Sequence, residues 1–340
     1  MQLRPLALVA LVLASCVSAA PAPAPDYSLV KSVPLGSPDR WDYVVHDGAT
    51  GRVYIAHGDR LAVIDARTGN LIGDVEGIAG GTHGTAISVP THQGFTDDGR
   101  NGKVVAFNLD TLKVEREIPA DLDADGIALD QVTGHVFVAE GDPAAVTVID
   151  PKSDTPIEKI NAGEKVEYIV ADGLGSIYVA GEANGDLIKI DAKTNRVLAH
   201  WPTPGCTSPH GLAVDPRTHR AFVGCANAVL MVVDTNSGRV AARLPIGLGN
   251  DSVAFDPVRK RVFSSNGRDG TISVYQQQSA DRYQALASIR TIVSARTMSV
   301  DPTTGWLFVP GADLGPATSP GGRPTIRPGT LKLMIFAPRA

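Results

Sequence analysis

The block YVVHDGATGRVYIAHG at residues 43–58 returns again and again down the chain, and no other feature limits the fold so tightly. Its counterparts are GIALDQVTGHVFVAEG (126–141), GLAVDPRTHRAFVGCA (211–226), SVAFDPVRKRVFSSNG (252–267) and TMSVDPTTGWLFVPGA (297–312). YIVADGLGSIYVAGE (168–182) fits with one residue deleted, and GTAISVPTHQGFTDDG (84–99) fits with weaker turn chemistry. The turn position falls at Asp47, Ser88, Asp130, Asp172, Asp215, Asp256 and Asp301, at spacings of 41, 42, 42, 43, 41 and 45 residues. Units of this length cannot bury an apolar face alone and must stack on copies of themselves. The period is that of a four-stranded propeller blade. The fold predicted is all-β, a seven-bladed β-propeller.

Each unit reads as four short strands, A to D, bounded by Asp, Gly and Pro. In the third unit these are Gly126–Leu129, Val136–Ala139, Val146–Ile149 and a strand near Pro156–Ile160. An aromatic recurs in strand B at Tyr54, Phe95, Phe137, Tyr178, Phe222, Phe263 and Phe308, a column that suits packing between blades. Residues 330–336 match strand C of the seventh unit, which then lacks strand D. Tyr27–Leu35 reads like a strand D without a blade, so the N-terminal strand is expected to close the ring and remove an open edge.

The start of the chain, MQLRPLALVALVLASCVSAA, carries Arg4, an apolar run too short for a bilayer, and small residues. Residues 1–19 therefore read as a secretory signal peptide, 20–26 as a Pro/Ala-rich linker and 27–340 as the propeller. Cleavage before Ala20 and lipidation of Cys16 in a lipobox (Leu13 to Cys16) are both open. A lipid on Cys16 would be the sole route to a membrane. Either way the expected location is periplasmic or extracellular. The net charge of −5, with basic residues scattered, argues against a nucleic-acid partner.

Segments such as RVYIAHG, SIYVAG, AVTVIDPKSD and LMVVDTNSGRVAARLPIG resemble the YVTN-repeat, YncE-like propellers of bacteria, over about residues 27–336. The resemblance implies the fold and an exported location. Related seven-bladed architectures include lactonases and lyases with a metal in the central funnel, and also plain scaffolds, so it implies no single activity.

The turn aspartates suit a structural role, bonding backbone amides of the A–B turn, and so do Asp65, Asp150, Asp191 and Asp234 at the C–D turns. Five residues before the turn column lies a different set: Asp42, His83, Asp125, Glu167, His210, Asp251 and Arg296, all ionisable. Inner strands surround the axis, so these side chains should converge at the mouth of the channel. Four carboxylates against one arginine repel one another unless a cation compensates. Asp42, His83, Asp125, Glu167 and Asp251 are the expected ligands of a divalent metal of the zinc, manganese, iron or copper kind. His210 is the expected base, and Arg296 the clamp for a substrate carboxylate or an oxyanion. The bland alternative is a solvated channel mouth in which Arg296 bridges neighbouring acids.

A wider ring on the same face, His57, Asp98, Glu140, Glu182 and Asn266, is expected to touch a ligand; Trp41 suits either stacking on that ligand or a partly buried packing role. The seventh B–C loop, Ala312 to Gly329, reads as a lid or a simple excursion. Cys206 and Cys225 both belong to the funnel face and are expected to form a disulfide, the alternative being a soft metal site with His210. Two functions follow. One is a funnel that binds a small molecule or divalent metal, extending to metal-dependent hydrolase (lactonase-like) or lyase chemistry. The other is a non-catalytic extracytoplasmic scaffold for a protein or wall polymer.

Overall fold

The computed structural model describes residues 26–317 and 324–339. The expected signal peptide, Cys16 and most of the 20–26 linker lie outside the described residues. What is described is a ring of seven antiparallel sheets, each ordered A-B-C-D. In blade 3 the strands are Ala124–Leu129, Val136–Glu140, Ala145–Asp150 and Thr155–Asn161. Blade 6 departs from the pattern, because its long strand C, Thr271–Ser279, pairs with two outer pieces, Arg282–Ala285 and Ile289–Arg290.

Strands B and C are covered on both faces by the adjoining blades, which is why they read as continuous apolar runs instead of alternating ones. Strand B of blade 4, Ser176–Gly181, is buried from Ile177 onward, whereas its outer strand, Arg196–Pro202, alternates between exposed and half-buried positions. The seven strand-B aromatics are all fully buried. Phe137 of blade 3 packs in one cluster with Val166, Ile169 and Ile177 of blade 4, so the column works between blades as expected. Burying a side chain of that size contributes about 2–3 kcal/mol.

Closure follows the expected route. Tyr27–Pro34 pairs antiparallel with Lys332–Pro338, from Tyr27 opposite Pro338 to Pro34 opposite Lys332. Blade 7 thus takes its outer strand from the N-terminal side and its inner three from the C-terminal side. The turn acids are structural, as predicted. Thr50 N donates to Asp47 at 2.7 Å, Thr133 N to Asp130 at 2.8 Å and Thr303 N to Asp301 at 2.8 Å. At the C–D turns Asp65, Asp150, Asp191 and Asp234 do the same.

Candidate functional site

The start of each inner strand is where the ring acids sit, and in four blades the A–B register slips there. Ala124 faces Glu140 but Ile127 faces Val138; similar bulges span Val166 to Ile169, Pro209 to Leu212 and Asn250 to Ser252. A bulge frees a residue from the ladder and re-aims its side chain. The residues so freed include Asp125, Glu167, His210 and Asp251. The next position along has to be small where neighbouring inner strands meet: a Cβ on Gly84 would lie 2.3 Å from the carbonyl oxygen of Asp125, and one on Gly211 2.6 Å from the backbone of Ser252.

The predicted ring does come together, but not as one metal cage. Arg296 bridges Asp42 at 3.0 Å and Asp251 at 3.1 Å, donates to the Trp41 carbonyl at 2.8 Å, and lies over the Trp41 ring. His83 Nδ1 meets Asp97 at 2.7 Å, and Asp97 also accepts from the backbone of His83 and Gly84. Burial disfavours the imidazolium, but the Asp97 carboxylate outweighs it and raises the His83 pKa to about 9. Of the five expected ligands, then, Asp42 and Asp251 are both paired with Arg296, and His83 is held by Asp97. Asp125 keeps a buried Oδ1 with no partner. Burial, then Glu167 and Asp42, hold its carboxyl well above the usual range.

The compact group is Glu167, His210 and Asp251, whose ligand atoms all lie within 4.8 Å of one another. His210, expected as a base, is thus the nitrogen donor of the group. Its Nδ1 donates to the Ser208 carbonyl at 2.8 Å, and Nε2 lies 4.0 Å from Glu167 and 3.9 Å from Glu182. Burial, with Asp251, Glu182 and Asp42 adding to it and His210 opposing, pushes the Glu167 carboxyl up to about 7. Burial also raises Asp251, against the pull of Arg296.

A cavity of about 840 Å³ opens above this floor. Its wall includes Trp41, Asp42, His83, His210, Asp251 and Arg296, with Arg40 and Arg268 at the rim and Leu314, Pro324 and Ile326 on one side. The last three belong to a hairpin in the seventh B–C loop, Leu314–Ala317 paired with Pro324–Ile326, so that loop lines the funnel. Arg40 and Arg268 meet no carboxylate among the described residues.

The wider ring divides. Glu182 faces the site, accepting from Ser208 Oγ at 3.2 Å and pairing with Lys165 at 3.5 Å. The other four are turned into the protein. His57 is 2% exposed with Nε2 on the Gly36 carbonyl, and burial lowers its pKa. Asp98 accepts from Gly80 N, Glu140 from Asp121 N and Thr147 Oγ1, and Asn266 donates to Thr271 and Ser273. They brace the loops, because a strand-B end covered by the next blade leaves a polar side chain to bond backbone groups and neighbouring hydroxyl or amide side chains. Cys206 and Cys225 are bonded, with Cα atoms 5.3 Å apart, which removes the soft-metal alternative.

Three functional neighbours are absent from the predicted set. Tyr43 and Tyr168, from blades 1 and 4, meet across the axis with ring centroids 4.4 Å apart, and Tyr43 Oη donates to Glu167 at 3.3 Å. Burial, then the nearby acids, hold both phenols above their ordinary range, Tyr168 at about 12. The signal was present: one residue after the ring acids stand Gly84, Gly126, Gly211, Ser252 and Thr297, and tyrosine in the other two blades. Asp97, the third, stands in strand B where the other blades carry Ala56, Ala139, Ala180, Gly224, Ser265 and Pro310, so an acid at a position otherwise small and uncharged was the signal.

Comparison with known proteins agrees with this architecture. A family model described as a domain of unknown function (DUF5074) matches residues 45–205. The chain is 25% identical over 193 residues to the uncharacterized protein YncE of Salmonella typhimurium and, to the same extent, to that of Salmonella typhi. The match takes in 54% of this chain and 52% of each relative, so it spans about half of their length. Among solved structures, the RRP9 WD40 repeats superpose with a TM-score of 0.76 at 11% identity, covering 92% of this chain and 99% of that one. Hydrazine synthase of Kuenenia stuttgartiensis gives 0.69 at 14% identity, covering 82% and 92%. At those identities the likeness is one of fold.

Proposed function

We propose that this chain, a YncE-like β-propeller, holds a divalent cation in its funnel through Glu167, His210 and Asp251 and there binds a small anionic molecule. The observation that carries this reading is the imidazole of His210. A carbonyl only accepts, so Nδ1 must carry the proton given to Ser208, which leaves Nε2 as the ring atom a metal would meet. Nε2 lies about 4 Å from Glu167 and from Glu182, too far for hydrogen bonds, and the Glu167 and Asp251 ligand atoms are within 4.8 Å of it. A metal ligand whose other ring nitrogen is fixed by a backbone carbonyl has this arrangement. One nitrogen and two carboxylates suit zinc, manganese or iron better than calcium.

A cation so held would polarise a bound carbonyl or acidify a bound water, the chemistry of lactonase-like hydrolases and of lyases. The remaining tasks fall to the chain's own residues. Arg296 is occupied by Asp42 and Asp251, so it fixes the floor of the site. Arg40 and Arg268 are the guanidinium groups available to hold an anion, and Leu314 and Ile326 offer it an apolar wall. Trp41, by contrast, is 7% exposed, packed against Ala312 and Leu331 and covered by Arg296, which favours the packing role over stacking on a ligand. The Cys206–Cys225 bond supports a location outside the cytoplasm, where such cross-links persist.

The test is zinc or manganese binding by the full chain, measured by calorimetry after chelator treatment. H210A and D251N should each remove one saturable site. E167Q should do so while leaving the melting temperature equal or higher, since it deletes a charge that burial and three acids oppose. Binding by all three variants equal to that of the native chain would defeat the reading. A second reading, an extracytoplasmic scaffold for a protein or wall polymer, is favoured by the opposite face. There Val132, Leu174 and Val258 stand 59, 66 and 67% exposed on the A–B turns of blades 3, 4 and 6.

A further inference from the structure

Blade 4 carries a second constellation, away from the axis. Asp186 opens its strand C, Asp186–Asp191, and His200 lies near the end of strand D, Arg196–Pro202. The register sets Asp186 opposite Pro202 and Ile188 opposite His200, so Asp186 and His200 are diagonal neighbours on one face of the sheet. Glu164, in the loop entering the blade, lays its carboxylate over the end of strand B. A Cβ on Gly181 would come within 2.4 Å of its Oε1. One ligand atom from each of Glu164, Asp186 and His200 lies within 4.8 Å of the other two, and Asp186 is 3.7 Å from His200 Nδ1.

Two observations set this group apart from an ordinary surface ion pair. At the equivalent diagonal, blades 1 and 2 hold complementary pairs, Arg60 with Asp74 at 3.9 Å and Lys103 with Glu117. Blade 4 reverses the pair, with Asp186 at the cation's position on strand C and His200 at the acid's position on strand D, and adds another acid, Glu164. Among the described residues neither Glu164 nor Asp186 meets a lysine or arginine. Moreover, Glu164 is only 6% exposed, and while one oxygen accepts from Asn184 N at 2.6 Å, Oε1 is buried with no partner. A buried carboxylate oxygen left bare beside a second acid is costly unless it takes a proton, toward which burial and Asp186 push Glu164, or a cation is supplied.

We propose that Glu164, Asp186 and His200 form a second, peripheral metal site for a zinc-class divalent cation, with water completing the coordination. The imidazole disfavours magnesium and calcium, which take oxygen ligands. Around zinc, tetrahedral ligands at about 2.0–2.2 Å stand roughly 3.4 Å apart. Reaching that spacing requires a movement of about 1 Å from Asp186 and His200, whose side chains are partly exposed and free to turn. The cation ties the outer strand of blade 4 to the loop that feeds its inner strand. This site does not depend on the funnel reading.

Equilibrium dialysis of the full chain against Zn²⁺, with elemental analysis, tests it. In the H210A background, which removes the funnel imidazole, zinc should still bind saturably and raise the melting temperature. Adding H200A should weaken that binding at least about tenfold and abolish the thermal shift. The native chain compared with D186N gives the same comparison without touching the funnel: loss of one zinc equivalent is the expected result. An H210A chain that binds no zinc, or zinc binding unchanged by both H200A and D186N, overturns the proposal.

Discussion

Asp97 is fully buried and accepts three hydrogen bonds from His83 and Gly84, so it fixes the start of an inner strand through a single carboxylate. Its partner sets a pH dependence whose sign can be worked out. The folded-state pKa of His83 is raised to about 9 from 6.5. The pair therefore contributes fully below about pH 6.5 and is lost as pH rises through 9, a contribution of up to about 3 kcal/mol. Urea unfolding of the native chain should show stability falling between pH 7 and 10, and H83A should lack that decline. Parallel profiles for the two proteins would show that the pair is energetically idle. At this scale the sequence was informative only where the repeat supplied a register. Aligning the blades exposed the ring from Asp42 to Arg296, but not which members neutralise one another. That choice depends on contacts across the axis and on Asp97, an acid where the other blades carry only small uncharged residues.

Among the elements, the strands were legible because Asp, Gly and Pro punctuate apolar runs at a constant interval. The bulges at Asp125, Glu167, His210 and Asp251 were not. A slipped register leaves no compositional trace, yet it is what turns these side chains to the axis. The inward turn of His57, Asp98, Glu140 and Asn266 was hidden for the same reason, since strand-B ends look like loop residues until the next blade covers them. The cross-link between Cys206 and Cys225 was readable from position, both residues flanking the inner strand of blade 5. It spans 19 residues and should stabilise the fold by about 3 kcal/mol on the loop-entropy account. Reductant should lower the denaturation midpoint of the native chain and leave C206S/C225S unmoved. A native midpoint insensitive to reductant would show that the bond contributes nothing.

For the molecule as a whole, the seven-fold repeat gave the architecture, while the sites arise where the blades differ. Blade 4 supplies Tyr168, Glu167 and the Glu164–Asp186–His200 group, and among the described residues blade 7 alone lines the funnel with a B–C hairpin. A near-symmetric ring becomes specific through such departures, which periodicity averages away. The closing blade has one more implication. Residue 339 donates its amide to the carbonyl of residue 26 at 2.7 Å, so the two ends of the ring are already neighbours. Where the covalent chain is interrupted is then a matter of connectivity and not of architecture. A circular permutant joining residue 339 to residue 26 by a short glycine linker, and opened in the loop between blades 2 and 3, should rebuild the same ring. Its circular dichroism spectrum should match that of the native chain, and its zinc uptake should equal the native chain's. A permutant that aggregates at every new opening would mean that closing blade 7 from the N-terminal side is an obligatory step in assembling the ring.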